Sequence, residues 1–213
     1  MEKSVYPKIF MWMFIGLLIT FGTGYFVATS EEMLTAVFSS GIYFILIIAE
    51  LATVIFLSAR IQKMSVTTAR LSFILYSFLT GLTFSSIFVV YKLSSILFVF
   101  LIAAVVFLFF AIVGAVTKID LSKLGTILLM MLVGIILCSL LNAFIGSENF
   151  DIALCIISLI IFFGFIAYDM QKIRRLSEQF DEDKLAIIGA LELYLDFINI
   201  FVDLLRIFGN SRD

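Results

Sequence analysis

The sequence predicts an all-α integral membrane protein with seven transmembrane helices, six of them surrounding a central seventh. Three observations carry this expectation. Hydrophobic residues make up 63% of the chain and charged residues only 14%. The apolar residues gather into seven runs of near-membrane length, and the few lysines and arginines fall between those runs. Soluble domains average about 45–50% apolar and about 25% charged residues. A globule of 213 residues has too little interior to hide the excess, so lipid is the solvent for much of this surface. The net charge of -2 provides no basic field for nucleic acid.

A helix needs about 20 apolar residues to cross the hydrocarbon. The first run, Ile9–Ala28, is too long for a signal-peptide core and lacks a clear small-residue cleavage site, so it reads as a retained span. Pro7 precedes it, where a missing N–H costs nothing. Leu34–Ala59 is the second run and holds one charge, Glu50. Leu71–Tyr91 and Leu93–Thr117 follow, both uncharged and split by Lys92. Leu124–Ser147 is the fifth, and Ile152–Tyr168, extended by Asp169 and Met170, is the sixth. Leu185–Gly209 is the seventh. Gly81, Gly114, Gly134 and Gly164 lie within spans, where they allow neighbouring helices to approach closely. No internal repeat divides the chain, and residues 1–213 read as one membrane domain.

Loop charges set the orientation. With a cytoplasmic N-terminus, the inner segments hold Lys3, Lys8, Arg60, Lys63, Arg70, Lys118, Lys123, Lys172, Arg174, Arg175 and Lys184. The outer loops hold Lys92 alone among the cations, beside Glu31, Glu32, Glu148 and Asp151. This asymmetry obeys the positive-inside rule. The side of the C-terminal tail, with Arg212, stays open.

Histidine is absent. That removes Ser-His-Asp and Cys-His catalysis, histidine zinc sites and the usual physiological pH switch. Cys138 and Cys155 both lie in apolar runs and read as packing residues. Any proton sensing therefore falls to carboxylates.

The seventh run holds the acids that hydrocarbon penalises. A carboxylate at mid-span costs roughly 2.5–3.5 kcal/mol on insertion scales. Glu192, Asp196, Asn199, Asp203 and Arg206 recur every three or four residues and share one helix face. A polar stripe must turn away from lipid, which places this helix at the centre. Arg206, one turn beyond Asp203, reads as its salt-bridge partner, and Glu192 as near enough to the end to be solvated. Asp196 lies about 16 Å in from Leu185, and Asp169 about 9 Å inside the cytoplasmic end, at 1.5 Å per residue. Depth alone allows Asp169 to face either Asp196 or Glu192. Two carboxylates brought close in a poorly hydrated site titrate as a unit with one pKa raised. Alternatively Ca²⁺ bridges them, or Arg60 clamps Asp169 bidentately. Glu50 is a further intramembrane acid, whose bland reading is a hydrogen bond to Ser or Thr.

The stretches "ARLSFILYSFLTGLTFSSIFVVY" (69–91), "TKIDLSKLGTILLMMLVGIILCSLLNAFIGS" (117–147), "AYDMQKI" (167–173) and "KLAIIGALELYLDFINIFVDLLRIFGN" (184–210) resemble the transmembrane Bax inhibitor motif family, in its bacterial branch. The resemblance runs from about Glu50 to the C-terminus. It implies six helices around a central seventh and a pH-sensitive Ca²⁺ leak in a prokaryotic plasma (inner) membrane. It also implies an aspartate pair as sensor, carried here by Asp169 and Asp196, with Arg60 as the candidate clamp. Glu192 stands where relatives are expected to be small or uncharged. Ca²⁺ is then the transported or transiently bound ion, and no cofactor is expected.

Two other classes compete with a gated conduit. In a proton-coupled transporter the same acids carry protons, although no inverted repeat or broken helix is evident. In a non-transporting regulator that binds other membrane proteins, the polar seam is structural. An enzyme is not expected, because "LYLDF" lacks the Gly-x-Gly that precedes the aspartate of intramembrane aspartyl proteases.

Overall fold

The computed structural model describes residues 5–39 and 41–212; Lys3, counted among the inner cations, lies outside the described residues. In these described residues eight α-helices follow one another: α1 (Tyr6–Ala28), α2 (Glu31–Phe38), α3 (Ile42–Arg60), α4 (Val66–Val90), α5 (Leu93–Val116), α6 (Leu124–Ile145), α7 (Glu148–Leu176) and α8 (Glu182–Phe208), with a 3₁₀ turn at Ile61–Lys63 after α3. Among the described residues seven helices are long and apolar enough to cross a membrane, and the short α2 is the one that is not. The protein is a multi-pass membrane protein, as its composition predicts.

The boundaries follow local chemistry. Ser30, Ser65 and Ser147 cap α2, α4 and α7 by accepting from Met33, Thr68 and Phe150 N–H groups. The second run is not one helix from Leu34: α2 stops at Phe38, and Gly41, at φ +98°, launches α3 in a conformation closed to most side chains. The sixth run extends beyond its apolar core in both directions. Ser147 and the acids Glu148 and Asp151 stabilise its start, and Arg174 and Arg175 suit the negative end of its dipole.

The helices gather into two compact units. The first holds α1 to α4 with residues 179–194 and the tail from Ser211. Here α1 and α4 meet backbone to backbone: a Cβ on Gly81 would lie 2.8 Å from the Thr20 carbonyl oxygen. Thr20 Oγ1 donates to the Ser77 carbonyl at 2.9 Å and lies 2.6 Å from Tyr194 Oη, so the tyrosine is left to donate to Thr20. The Tyr194 ring is held edge-on by Phe73 and Tyr76, at 5.5 and 5.9 Å between centroids. The first turn of α8 is tied by charge, with Lys8 bonded to Glu182 (3.2 Å) and Asp183 (3.0 Å), and Arg70 to Asp183 (3.2 Å). Buried Lys184 donates to the Met64 carbonyl.

The second unit holds α5, α6, α7 and the rest of α8. Phe197 of α8 packs edge-on against Phe100 and Phe107 of α5. Phe110 of α5 stacks on Phe163 of α7, with centroids 4.6 Å apart and planes 10° from parallel. Asp151 at the start of α7 bonds Arg206 near the end of α8, so the two helices run antiparallel.

Burial separates the spans. α3 and α6 present most of their apolar side chains outward, as lipid-facing helices do. α8 is the most buried span, and Leu193, Tyr194, Phe197, Ile198, Ile200 and Phe201, spread around its circumference, are all 7% exposed or less.

Candidate functional site

Asp169 lies two turns before the end of α7 and is 7% exposed. The residues around it pack unusually closely. Ala167 presses against Gly114 of α5, where a Cβ would lie 2.6 Å from both the Ala167 Cα and its carbonyl oxygen. Tyr168 fills the space that Gly125 of α6 leaves open, and the Arg175 guanidinium stands 5.7 Å from the centre of that ring. Gln171, 3% exposed, reaches the turn between α5 and α6. Its Oε1 accepts from Leu121 N–H at 3.1 Å, and its Nε2 donates to the carbonyls of Ile119 at 2.7 Å and Thr117 at 3.5 Å. These backbone groups follow α5, where helix-end carbonyls lack helical partners.

On α8 the polar stripe grades from deep to exposed. Asp196 is buried, at 4% exposed. Glu192, Asn199 and Asp203 are half-buried, and Arg206 is exposed. Asn199 satisfies itself within the helix, donating to the Leu195 carbonyl at 2.7 Å. Asp203 lies beside the Ser158 hydroxyl and the Cys155 thiol of α7. The salt bridge expected between Asp203 and Arg206 is replaced by one across helices, from Arg206 to Asp151 at 3.3 Å. The reason is reach: Asp203 points into the α7 surface, while the long arginine extends to the exposed first turn of α7. This pair borders a cavity of about 400 Å³ that Asn142, Ser147 and Glu148 also line.

Asp169 and Asp196 thus belong to one unit, both buried. Glu50 of α3 accepts a hydrogen bond from Thr83 of α4 at 2.8 Å, the bland reading of that acid. Arg60 closes α3 with an exposed side chain. Among the described residues no three His, Cys, Asp or Glu side chains gather to hold a metal ion. A Ca²⁺ ion at the two aspartates would therefore need backbone oxygens or water to complete its six to eight ligands.

Sequence reading missed Gln171, although an uncharged amide two residues past a membrane aspartate was a visible signal. It also missed the roles of Gly125 and of Tyr194, whose partners lie far away in the chain.

The chain as a whole is similar to known proteins. A family model described as inhibitor of apoptosis-promoting Bax1 matches residues 2–213. The chain is 46% identical over 217 residues to the inner membrane protein YbhL of Escherichia coli (strain K12), covering 99% of this chain and 93% of that protein. An uncharacterised protein of Borreliella burgdorferi is 39% identical over 218 residues, covering 100% and 94%. One from Rickettsia prowazekii is 33% identical over 210 residues, covering 97% and 89%.

Proposed function

This chain belongs to the Bax inhibitor family, and from that membership we propose that it is a pH-sensitive Ca²⁺ leak of a prokaryotic inner membrane, gated by Asp169 and Asp196. The observation that carries the reading is the burial of both carboxyls, 7% and 4% exposed, in one unit of a membrane protein. The chain has no histidine to sense protons instead.

Burial disfavours the ionised form of a carboxyl, and a second carboxylate close by disfavours it further. A pair of such acids takes up and releases its proton as a unit. That exchange changes the charge inside the unit by one. To act as a gate it must bias a helix with two arrangements, and α8, which carries Asp196, is the proposed element. With the proton shared, α8 is seated and the path closed; with the charge changed, that packing weakens and water follows. Ca²⁺ passes as cargo, moving down its gradient and meeting oxygen ligands suited to a hard cation.

The test uses purified protein in liposomes enclosing a Ca²⁺ dye, across about pH 5 to 8, the range in which a physiological pH switch acts. Wild type should admit Ca²⁺ with a pH-dependent rate, and Asp169→Asn and Asp196→Asn should each flatten that dependence. Folded protein that admits no Ca²⁺, or a pH profile indifferent to both substitutions, rules the reading out. Uptake against the Ca²⁺ gradient, driven by protons, would reassign the same acids to a coupled transporter.

A further inference from the structure

Asp169 and Gln171 are two residues apart on α7, about 200° around the helix, so they leave it on nearly opposite faces. Ala167 lies four residues before Gln171 and shares its face. That face is bound twice: Ala167 against the Gly114 backbone, and Gln171 by three hydrogen bonds to Thr117, Ile119 and Leu121. We propose that Gln171 is the positioning residue for Asp169, fastening the α5–α6 turn to the back of α7 so that Asp169 is the stationary member of the acid pair. The proposal deepens the gating reading above and rests on it for its functional meaning.

Geometry gives the reason. A shift of α7 by one residue along its axis is a 1.5 Å movement. Such a shift breaks bonds of 2.7 and 3.1 Å at once and drives the Ala167 backbone along a surface with no slack. A buried amide that loses its partners is costly, because nothing in the packed site replaces them. Rotation of α7 is opposed in the same way, because Tyr168 sits in the gap at Gly125. The Asp169 end of α7 therefore stays fixed, and rearrangement falls to α8.

The lock itself is insensitive to pH in the working range. Gln171 does not titrate. The charged groups of the turn are Lys118, Asp120 and Lys123, and those of α7 nearby are Lys172, Arg174 and Arg175. Ser122 donates to the Asp120 carboxylate from its hydroxyl at 2.6 Å and its amide at 2.9 Å, holding that carboxyl below its ordinary range. A depressed carboxyl stabilises above its unfolded pKa and loses that contribution only as pH falls through its lowered value. Asp120 therefore keeps its charge from about pH 5 to 8, well above ordinary carboxylate values.

The test reads the position of Asp169 without any ion flux. Full-length protein in detergent is treated with dicyclohexylcarbodiimide, which labels buried protonated carboxyls, and labelling at each acid is followed by mass spectrometry. Gln171→Met should change the labelling rate of Asp169 by about threefold or more, the factor that one lost hydrogen bond of ordinary strength represents. Asp203 should be unaffected, and Asn142→Ala, which loosens a different turn, should leave Asp169 at its wild-type rate. If Gln171→Met does not fold, the milder Gln171→Asn serves in its place. Amide exchange at Leu121 should rise in the same variant. Unchanged Asp169 labelling, or an equal change at Asp203, overturns the proposal. If labelling responds as expected but wild-type liposomes show no pH-dependent Ca²⁺ entry, Gln171 keeps its role and the gating reading falls.

Discussion

At one end of α7, the turn from α6 is closed by Asn142, which donates to the Ser147 carbonyl at 3.1 Å and accepts from the Ser147 amide at 3.2 Å, five residues along the chain. At the other, the turn from α5 is closed by Gln171, fifty residues from Leu121. Both are amides, well suited to backbone donors and acceptors and indifferent to pH. Their reach differs. Asn142 ties a turn to itself, with Gly146 at φ +69° providing the reversal. Gln171 ties a turn to another helix, two residues along from the most buried acid of that helix and on its opposite face. The same chemistry is thus local at the end holding an exposed ion pair, and long-range at the end holding Asp169.

The largest effect should come from the close packing beside Gln171. Gly114→Val places side-chain atoms in the Ala167 backbone, which cannot yield as a flexible side chain does. A loss of about 3 kcal/mol or more is expected, read as a lowered Tm or aggregation in detergent. Gly134→Val has open space around it and should be neutral or slightly stabilising. Equal behaviour of the two variants would break the contrast.

Next come the locks. Gln171→Met should cost about 1–3 kcal/mol, since it removes three part-buried hydrogen bonds at once, and Asn142→Ala about 1 kcal/mol. Asn142→Ala should raise amide exchange at Ser147 without altering exchange at Leu121. A spread of the Asn142 effect to Leu121 would show that the two ends are not independent.

The smallest effect belongs to the ion pair. The Asp151 and Arg206 side chains are 42% and 51% exposed, so Asp151→Asn should cost under about 1 kcal/mol. That difference should vanish in roughly 1 M salt, where the screening length is about 3 Å. A Tm change of many degrees, persisting in salt, would mean that this end is as firmly built as the other.

The spans and the acid stripe were legible because both are periodic: hydrocarbon demands long apolar runs, and a helix repeats its face every three or four residues. Glu50 was legible too, since a lone acid in a span needs a donor, and Thr83 supplies one. The break at Gly41 was not. Ser39 and Ser40 before it are a turn signal, but the apolar residues on either side of Ser-Ser-Gly outweigh it, and a positive φ leaves no trace in hydropathy. The partner of Arg206 was misassigned because helix spacing favours Asp203, whereas Asp151, 55 residues away, lies within reach only after α7 and α8 pair. Gln171 was passed over for the same reason. Its amide beside a membrane aspartate marks the residue as worth noting, but a hydrogen bond to distant backbone is written in no side-chain pattern.

The order of synthesis gives the burial of α8 a further meaning. The helix with the least contact with its surroundings follows all the other spans in the chain. Until it emerges from the ribosome, Thr20 lacks the Tyr194 hydroxyl, Lys8 lacks both of its acids, and Asp151 lacks Arg206. The earlier spans therefore come together before these partners exist, and the ties that α8 makes are later in synthesis order than the packing of α1 on α4.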